Sequence, residues 1–313
     1  MTIGLALSAG IASAQTVAVD KDIKAYEKTS GVSGKLNSIG SDTLNNLMGL
    51  WMEGFKKTYP NVKTEFEGKG SSTAPPALIK GSSQLGPMSR MMKSTEIDEF
   101  EKNFGYKPTP IPVAIDALAV YVHKDNPIKG MTLGQLDSIF SSTKKRGGKD
   151  ITKWGGVGLD AWASKPFSLY GRNSASGTYG YFKKNVLNGG DYRDSVKEQP
   201  GSSAVVQGIA ADLGGLGYSG IGYKTSGVRA IALGEETSKL FEPSVANCLS
   251  GDYPLARFLY VYVNKKPGKP LDTLTAEFIK YVIAKEGQEI VVKDGYYPLP
   301  ASVVEEQLKA ISK

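Results

Sequence analysis

The stretch Gly171-Arg172-Asn173-Ser174-Ala175-Ser176-Gly177-Thr178-Tyr179 sets a fixed positive charge among hydroxyls and glycines, directly ahead of a helical apolar pattern at Tyr179, Phe182 and Val186. Such a segment can wrap an oxyanion in donors. Backbone N–H groups at a helix start lack partners within the helix, Ser and Thr add hydroxyl donors, and glycine lets the backbone come close. Arginine contributes a planar fork matched to two oxygens. Two upstream segments share this chemistry, Gly40-Ser41-Asp42-Thr43-Leu44 and Gly70-Ser71-Ser72-Thr73-Ala74-Pro75-Pro76, and Gly86-Pro87-Met88-Ser89-Arg90 supplies another Ser and Arg. Each upstream segment alone reads equally well as a turn and helix cap. Together, three hydroxyl-rich helix starts and two arginines predict a single oxyanion cleft.

The elements that must position these segments follow from periodicity. Lys35 to Gly40 reads as a strand, and Leu44, Leu47, Met48, Trp51 and Phe55 mark one face of a helix. Val62 to Glu67 alternates like a strand, with Pro75 or Pro76 suited to the first turn of a helix through Ile79. Strand, small-residue loop and helix in repetition predict a largely parallel sheet with ligands at the carboxyl ends of its strands. Thr95 with Asp98 and Thr132 with Gln135 fit capping patterns for helices through Phe104 and Phe140. Ile111 to Val122 and Phe258 to Val263 read as strongly apolar strands. If both cross between lobes, residues 15–115 and 260–313 form one lobe and 116–259 the other, with the cleft between them. The tail reads as a helix from Thr275 to Ala284, a strand near Ile290 to Val292 and a terminal amphipathic helix.

Composition excludes several classes. With 313 residues, 40% hydrophobic and 22% charged, the chain is an ordinary globular protein long enough for two lobes. Residues 1–14 hold an apolar run ending in Ala12-Ser13-Ala14, the pattern of a signal peptide, although no basic residue precedes the run; export is the expectation. No other run approaches the ~20 apolar residues that span a bilayer. One cysteine, Cys248, cannot form an internal disulfide, and one histidine, His123, leaves neither a nucleophile–base pair nor a zinc set. A net charge of +7 favours encounter with anions, but basic residues are not interleaved with stacking aromatics, so nucleic acid is not expected. Gly215-Leu216-Gly217-Tyr218-Ser219-Gly220 matches a dinucleotide fingerprint, yet Tyr218 to Tyr223 reads as a buried strand where a helix start is required.

The chain resembles the periplasmic phosphate-binding proteins of high-affinity phosphate ABC transporters. The matching stretches are GSDTLNNLM at 40–48, GKGSSTAPPALI at 68–79, LGPMSR at 85–90, PVAIDALAVYVHKDNP at 112–127, GRNSASGTYGYF at 171–182, GYSGIGY at 217–223 and DGYYPLP at 294–300. The resemblance implies an α/β type II periplasmic-binding fold of two lobes joined by two crossing strands. It also implies a monomer without cofactor or metal that closes on one inorganic phosphate and passes it to a membrane ABC permease. Carried over by position, it implies ligand contacts from Thr43, the Leu44 N–H, Ser71, Arg172, Ser176, Gly177 and Thr178, with Ser41, Asp42, Ser89 and Arg90 in the same loops.

One position departs from the family pattern. Many members carry Asp after Ser in the fourth segment, whereas this chain has Arg90 after Ser89. The proton of monohydrogen phosphate needs an acceptor, and a carboxylate there attracts phosphate while repelling proton-free sulfate. Asp42 and Asp116 are the candidates, with Asp42 favoured; their structural alternatives are an N-cap for Asp42 and a salt bridge to Arg90 or Arg172 for Asp116. Other functional classes to be separated are a sulfate or molybdate binder, a phosphate-ester hydrolase, and a surface adhesion or signalling protein.

Overall fold

The computed structural model describes residues 17–312, so the expected signal segment 1–14 lies outside the described residues. The first part of the chain runs β1 (Gly34–Gly40), α1 (Asn45–Thr58), β2 (Val62–Gly68), α2 (Ala74–Ile79), β3 (Gly86–Met88), α3 (Ser94–Phe104), β4 (Thr109–His123), β5 (Gly130–Thr132) and α4 (Leu133–Phe140). The middle continues with β6 (Ser168–Arg172), α5 (Gly177–Asn185), β7 (Lys197–Gln199), α6 (Ser202–Ala210), β8 (Gly215–Gly220), β9 (Val228–Ala230), β10 (Ala232–Glu236), β11 (Lys239–Phe241) and α7 (Val245–Ser250). β12 (Ala256–Val263), α8 (Thr273–Ile283), α9 (Lys285–Lys293) and α10 (Ala301–Ser312) complete it.

The sequence-predicted face of Leu44, Leu47, Met48, Trp51 and Phe55 is buried in full, and Met52 is buried beside it. Trp51 also donates its indole N–H to the Gly287 carbonyl at 2.9 Å, which pins α1 to the C-terminal helices. β1 and β2 pair in parallel without a register break, from Gly34↔Val62 to Gly40↔Gly68. Their C-terminal ends therefore stop side by side, beside the starts of α1 and α2.

β4 connects the two lobes. Its first half pairs antiparallel with β12, from Thr109↔Val263 to Ala117↔Ala256, and from Leu118 it pairs antiparallel with β8 instead. The sheet order is β3-β12-β4-β8-β6-β7, with β9 also on β4. A largely parallel sheet was the expectation, and the architecture corrects it. Parallel pairing holds for β1–β2, β8–β6 and β6–β7, whereas the strands that carry the chain between lobes are antiparallel, because β12 returns along the path β4 took.

Three local expectations also change. α3 starts at Ser94, and its cap is the Glu96 carboxylate accepting the Lys93 N–H at 2.8 Å, so Thr95 and Asp98 do not cap it. Ile290 to Val292 lies inside α9: a short apolar run fits strand or helix equally, and packing of Gly287, Gln288 and Val291 at helical spacing selects the helix. Tyr218 to Tyr223 is strand only to Gly220, after which a 3-10 turn covers Ile221 to Tyr223. The fingerprint-like glycines are thus strand β8 itself. The Thr132–Gln135 capping box forms as predicted, with bonds of 2.8 and 3.1 Å.

His123 accepts the Asp125 N–H at the end of β4, and Cys248 is buried with its thiol pushed up to about 12. Among the described residues no helix is long and apolar enough to cross a membrane, and no cluster of metal-ligating side chains occurs.

Candidate functional site

Each segment reaches the cleft for a local reason. At the end of β1, Ser41 N–H bonds the Pro87 carbonyl at 2.7 Å, and a side chain at Gly40 would drive a Cβ to 2.2 Å from that oxygen. Ser41 Oγ accepts the Thr43 N–H at 3.2 Å, capping a 3-10 turn that leads into α1. At the end of β2, Gly70 takes φ +116°, a conformation that suits glycine, and the turn Ser71 to Thr73 leads into α2. After β6, Ser176 Oγ accepts the N–H groups of Thr178 and Tyr179, at 3.1 and 3.3 Å, and so starts α5.

These starts meet. Thr43 Oγ1 and Thr178 Oγ1, from opposite lobes, lie 3.0 Å apart. Ser89 Oγ accepts from Ser41 Oγ at 3.0 Å and lies 3.3 Å from Ser71 Oγ, which in turn accepts the Ser89 N–H. Gly177 sits against this group so closely that a Cβ there would lie 2.2 Å from Ser71 Oγ and 2.5 Å from Ser89 Oγ. Ser72 closes the rim, donating both N–H and hydroxyl to the Ala175 carbonyl.

Two buried guanidiniums flank the hydroxyls. Arg172, 2% exposed, donates from Nη1 to Ser202 Oγ at 2.7 Å and pairs with Asp42 Oδ2 at 3.0 Å. Its Nε is buried without a protein partner, an unspent donor where burial makes an unpaired polar group costly. Burial depresses the Arg172 pKa below its usual range, against the opposing pull of Asp42. Arg257, on β12, bonds Asp116 Oδ2 through Nε at 2.9 Å and Nη2 at 2.7 Å, Ser89 O through Nη1 at 2.7 Å, and Thr178 Oγ1 through Nη2 at 2.9 Å.

The structure brings Ser41, Thr43, Ser71, Ser89, Gly177 and Thr178 together, with Ser176 capping α5 and Arg172 tied to Asp42, and it differs from the sequence reading on four details. Leu44 spends its N–H on the Ser41 carbonyl at 3.2 Å and buries its side chain in the core. Arg90 points its guanidinium at Glu96 in a bidentate pair, 2.7 Å to each oxygen, and not into the hydroxyl group. Asp116 pairs with Arg257, not with Arg90 or Arg172, since β4 and β12 place the two directly across from each other. Asp42 does not cap its own turn, which Ser41 does: its Oδ2 accepts the N–H and hydroxyl of Ser202, at 2.8 and 2.7 Å, across the cleft at the start of α6.

Four contributors were not anticipated: Ser202, Arg257, Tyr223 and Tyr296. Ser202 carried a signal of the same kind as the others, a Gly-Ser-Ser sequence before an apolar run. Arg257 and Asp116 are each a lone charge in an apolar strand, a pattern suggesting mutual pairing. Tyr223 and Tyr296 lie in the matching stretches 217–223 and 294–300, but nothing local marked their phenols as donors. Their phenols donate to the carbonyls of Asp42 and Thr43 at 2.8 and 2.9 Å, and burial keeps both protonated.

A two-lobed α/β molecule with helix starts from both lobes converging on the interlobe cleft defines a substrate-binding protein. Residues 25–286 match the family model of the PBP superfamily domain. The phosphate-binding protein PstS of Pseudomonas aeruginosa is 56% identical over 309 residues, covering 97% of this chain and 96% of that one. The chain belongs to the PBP superfamily and, within it, to the PstS family. The fold is likewise shared with a Clostridium perfringens protein solved with bound phosphate, at TM-score 0.73 and 24% identity over 85% of this chain and all of that one. An ABC-type phosphate transport receptor from Vibrio cholerae superposes at TM-score 0.66 and 21% identity, again over 85% of this chain and all of that one.

Proposed function

We propose that this protein captures one inorganic phosphate ion between its lobes and delivers it to a membrane ABC permease, acting outside the cytoplasm as a monomer and as a binder, not an enzyme. The observation that carries the reading is the meeting of Thr43, Ser71 and Ser89 with Gly177 and Thr178, and of Asp42 with Arg172, across the cleft. Donors from both lobes around one point suit a tetrahedral acceptor-rich anion, and the closed arrangement is favoured by whatever ligand both sides grip. The same residues suit hydrolysis poorly, because both nearby carboxylates are engaged by arginines and no histidine stands beside the serines.

Ligand contacts are assigned to Ser41, Thr43, Ser71, Ser89, Arg172, Ser176, Gly177 and Thr178. Asp42 is assigned the ion's proton. Its three protein bonds all fall on Oδ2, which leaves Oδ1, whereas Asp116 is fully buried with donors on both oxygens. The lobes divide as 15–115 with 260–313, and 116–259, in keeping with the change of β4 partners at Leu118.

Calorimetry on the ligand-stripped protein tests the reading. Stoichiometric phosphate binding with sulfate and molybdate at least about a hundredfold weaker, a difference of ~2.7 kcal/mol, is expected. Equal or tighter binding of sulfate would refute it, and turnover of a model phosphate ester would replace it with an enzyme.

A further inference from the structure

Ser72 crosses the cleft without joining the hydroxyls that line it. Its N–H and its hydroxyl both donate to the Ala175 carbonyl of the opposite lobe, at 3.2 and 3.1 Å. Both donors of Ser72 are thereby spent on protein. Ser72 and Ala175 are partly exposed, whereas Ser71, Ser176, Gly177 and Thr178 beside them are buried. The contact therefore lies at the rim, between the buried hydroxyls and water.

Each half of this contact is built within its own lobe. Gly70 N–H bonds the Gly40 carbonyl at 2.8 Å, and the Thr73 N–H and hydroxyl bond the Gly70 carbonyl at 3.0 and 2.8 Å, which fixes the turn that carries Ser72. Across the cleft, Ser176 N–H bonds the Asn173 carbonyl at 3.1 Å and Ser176 Oγ caps α5, which fixes the Ala175 peptide. Gly70, at φ +116°, lets the two backbones meet, since a Cβ there would lie 2.6 Å from the Ala175 oxygen. Only the two bonds from Ser72 to Ala175 remain to be made when the lobes come together.

Other bonds across the cleft do not separate grip from closure. Thr43–Thr178 and Asp42–Arg172 join groups assigned to the ion, and Ser202 bonds the same Asp42 oxygen. Tyr223, which donates to the Asp42 carbonyl, is packed in the core, so its truncation would also open a cavity.

We propose that Ser72 is a positioning residue for release: it latches the rim of the closed cleft and so sets how long a captured phosphate stays, without taking part in gripping it. The inference rests on the phosphate reading above and deepens it. A bond made only in the closed state slows opening and leaves encounter with the open cleft unchanged.

The test is release of radiolabelled inorganic phosphate from the loaded protein, chased with excess unlabelled phosphate, beside equilibrium dialysis for affinity. Ser72→Ala removes one of the two bonds and should release phosphate roughly 3- to 10-fold faster, the range of one net hydrogen bond, with affinity weakened by the same factor. The association rate, given by the two measurements together, should stay native, as should the melting temperature of the phosphate-free protein. Ser72→Thr, which keeps the hydroxyl, should restore slow release. A native release rate in the alanine variant would overturn the proposal, as would a loss of affinity carried by slower association, which would make Ser72 a group that meets the ion. Equally fast release from the threonine and alanine variants would assign the effect to the turn instead of the bond, and would overturn it too. Absence of any phosphate binding by the native protein would overturn the phosphate reading, and this inference with it.

Discussion

Gly177 shows how single residues set this site. Its backbone lies where any side chain would collide with Ser71 and Ser89, so the two lobes approach fully only because the position carries no Cβ. Alanine at the first position of α5 suits the helix itself. Gly177→Ala should therefore leave the melting temperature close to native while weakening phosphate about 10- to 100-fold, the ~1–3 kcal/mol typical of overpacking. Titration calorimetry beside a thermal melt checks both halves, and a variant that lost fold and affinity together would show the clash to be internal to one lobe. The same economy appears at Asp42, whose single Oδ2 ties α6 and Arg172 to the other lobe.

Elements position these residues through their cores. α1 must be rigid for Ser41 to Thr43 to hold their places, and Trp51 supplies much of that rigidity, with no exposure and an indole bond to the carbonyl of Gly287 in α9. Trp51→Ala should cost about 3–5 kcal/mol. For a domain of this size that lowers the melting temperature by roughly 10 °C. Trp51→Phe should recover most of the packing loss but not the hydrogen bond. Scanning calorimetry ranks the three proteins, and equal melting of the alanine and native proteins would remove Trp51 from the account. The aromatic stack of Phe182 on Tyr218, centroids 4.0 Å apart, plays the matching part behind α5.

For the whole molecule, Asp294 links stability to pH. Burial raises its carboxyl from the ordinary 3.8 to about 7, and one of its oxygens is buried without a partner. The folded chain keeps this proton between those values while the unfolded chain gives it up. Folded-state stability from this group is complete below 3.8 and declines as pH rises through about 7. Asp294→Asn should flatten that decline and leave the protein more stable than native at about pH 8, where the native group is ionised. Denaturant unfolding at a series of pH values measures the slope. Parallel native and variant curves would contradict the assignment.

The sequence by itself determined the α1 core face, the apolar strands β4 and β12, the Thr132 cap and the oxyanion chemistry of the loops at residues 40, 70 and 171, because periodicity, capping and donor content are local properties. It could not separate strand from helix at Ile290 to Val292, where three apolar residues carry no period. Nor could it choose partners: Arg90 could equally serve an anion or Glu96, and Asp116 any buried arginine. Only the tertiary structure decided these, through the antiparallel register that sets Asp116 against Arg257 and the closure that sets Asp42 against Ser202. A charge declares its need for a partner in the sequence, but the partner lies six residues on for Arg90 and 141 residues on for Asp116, and spacing alone does not say which.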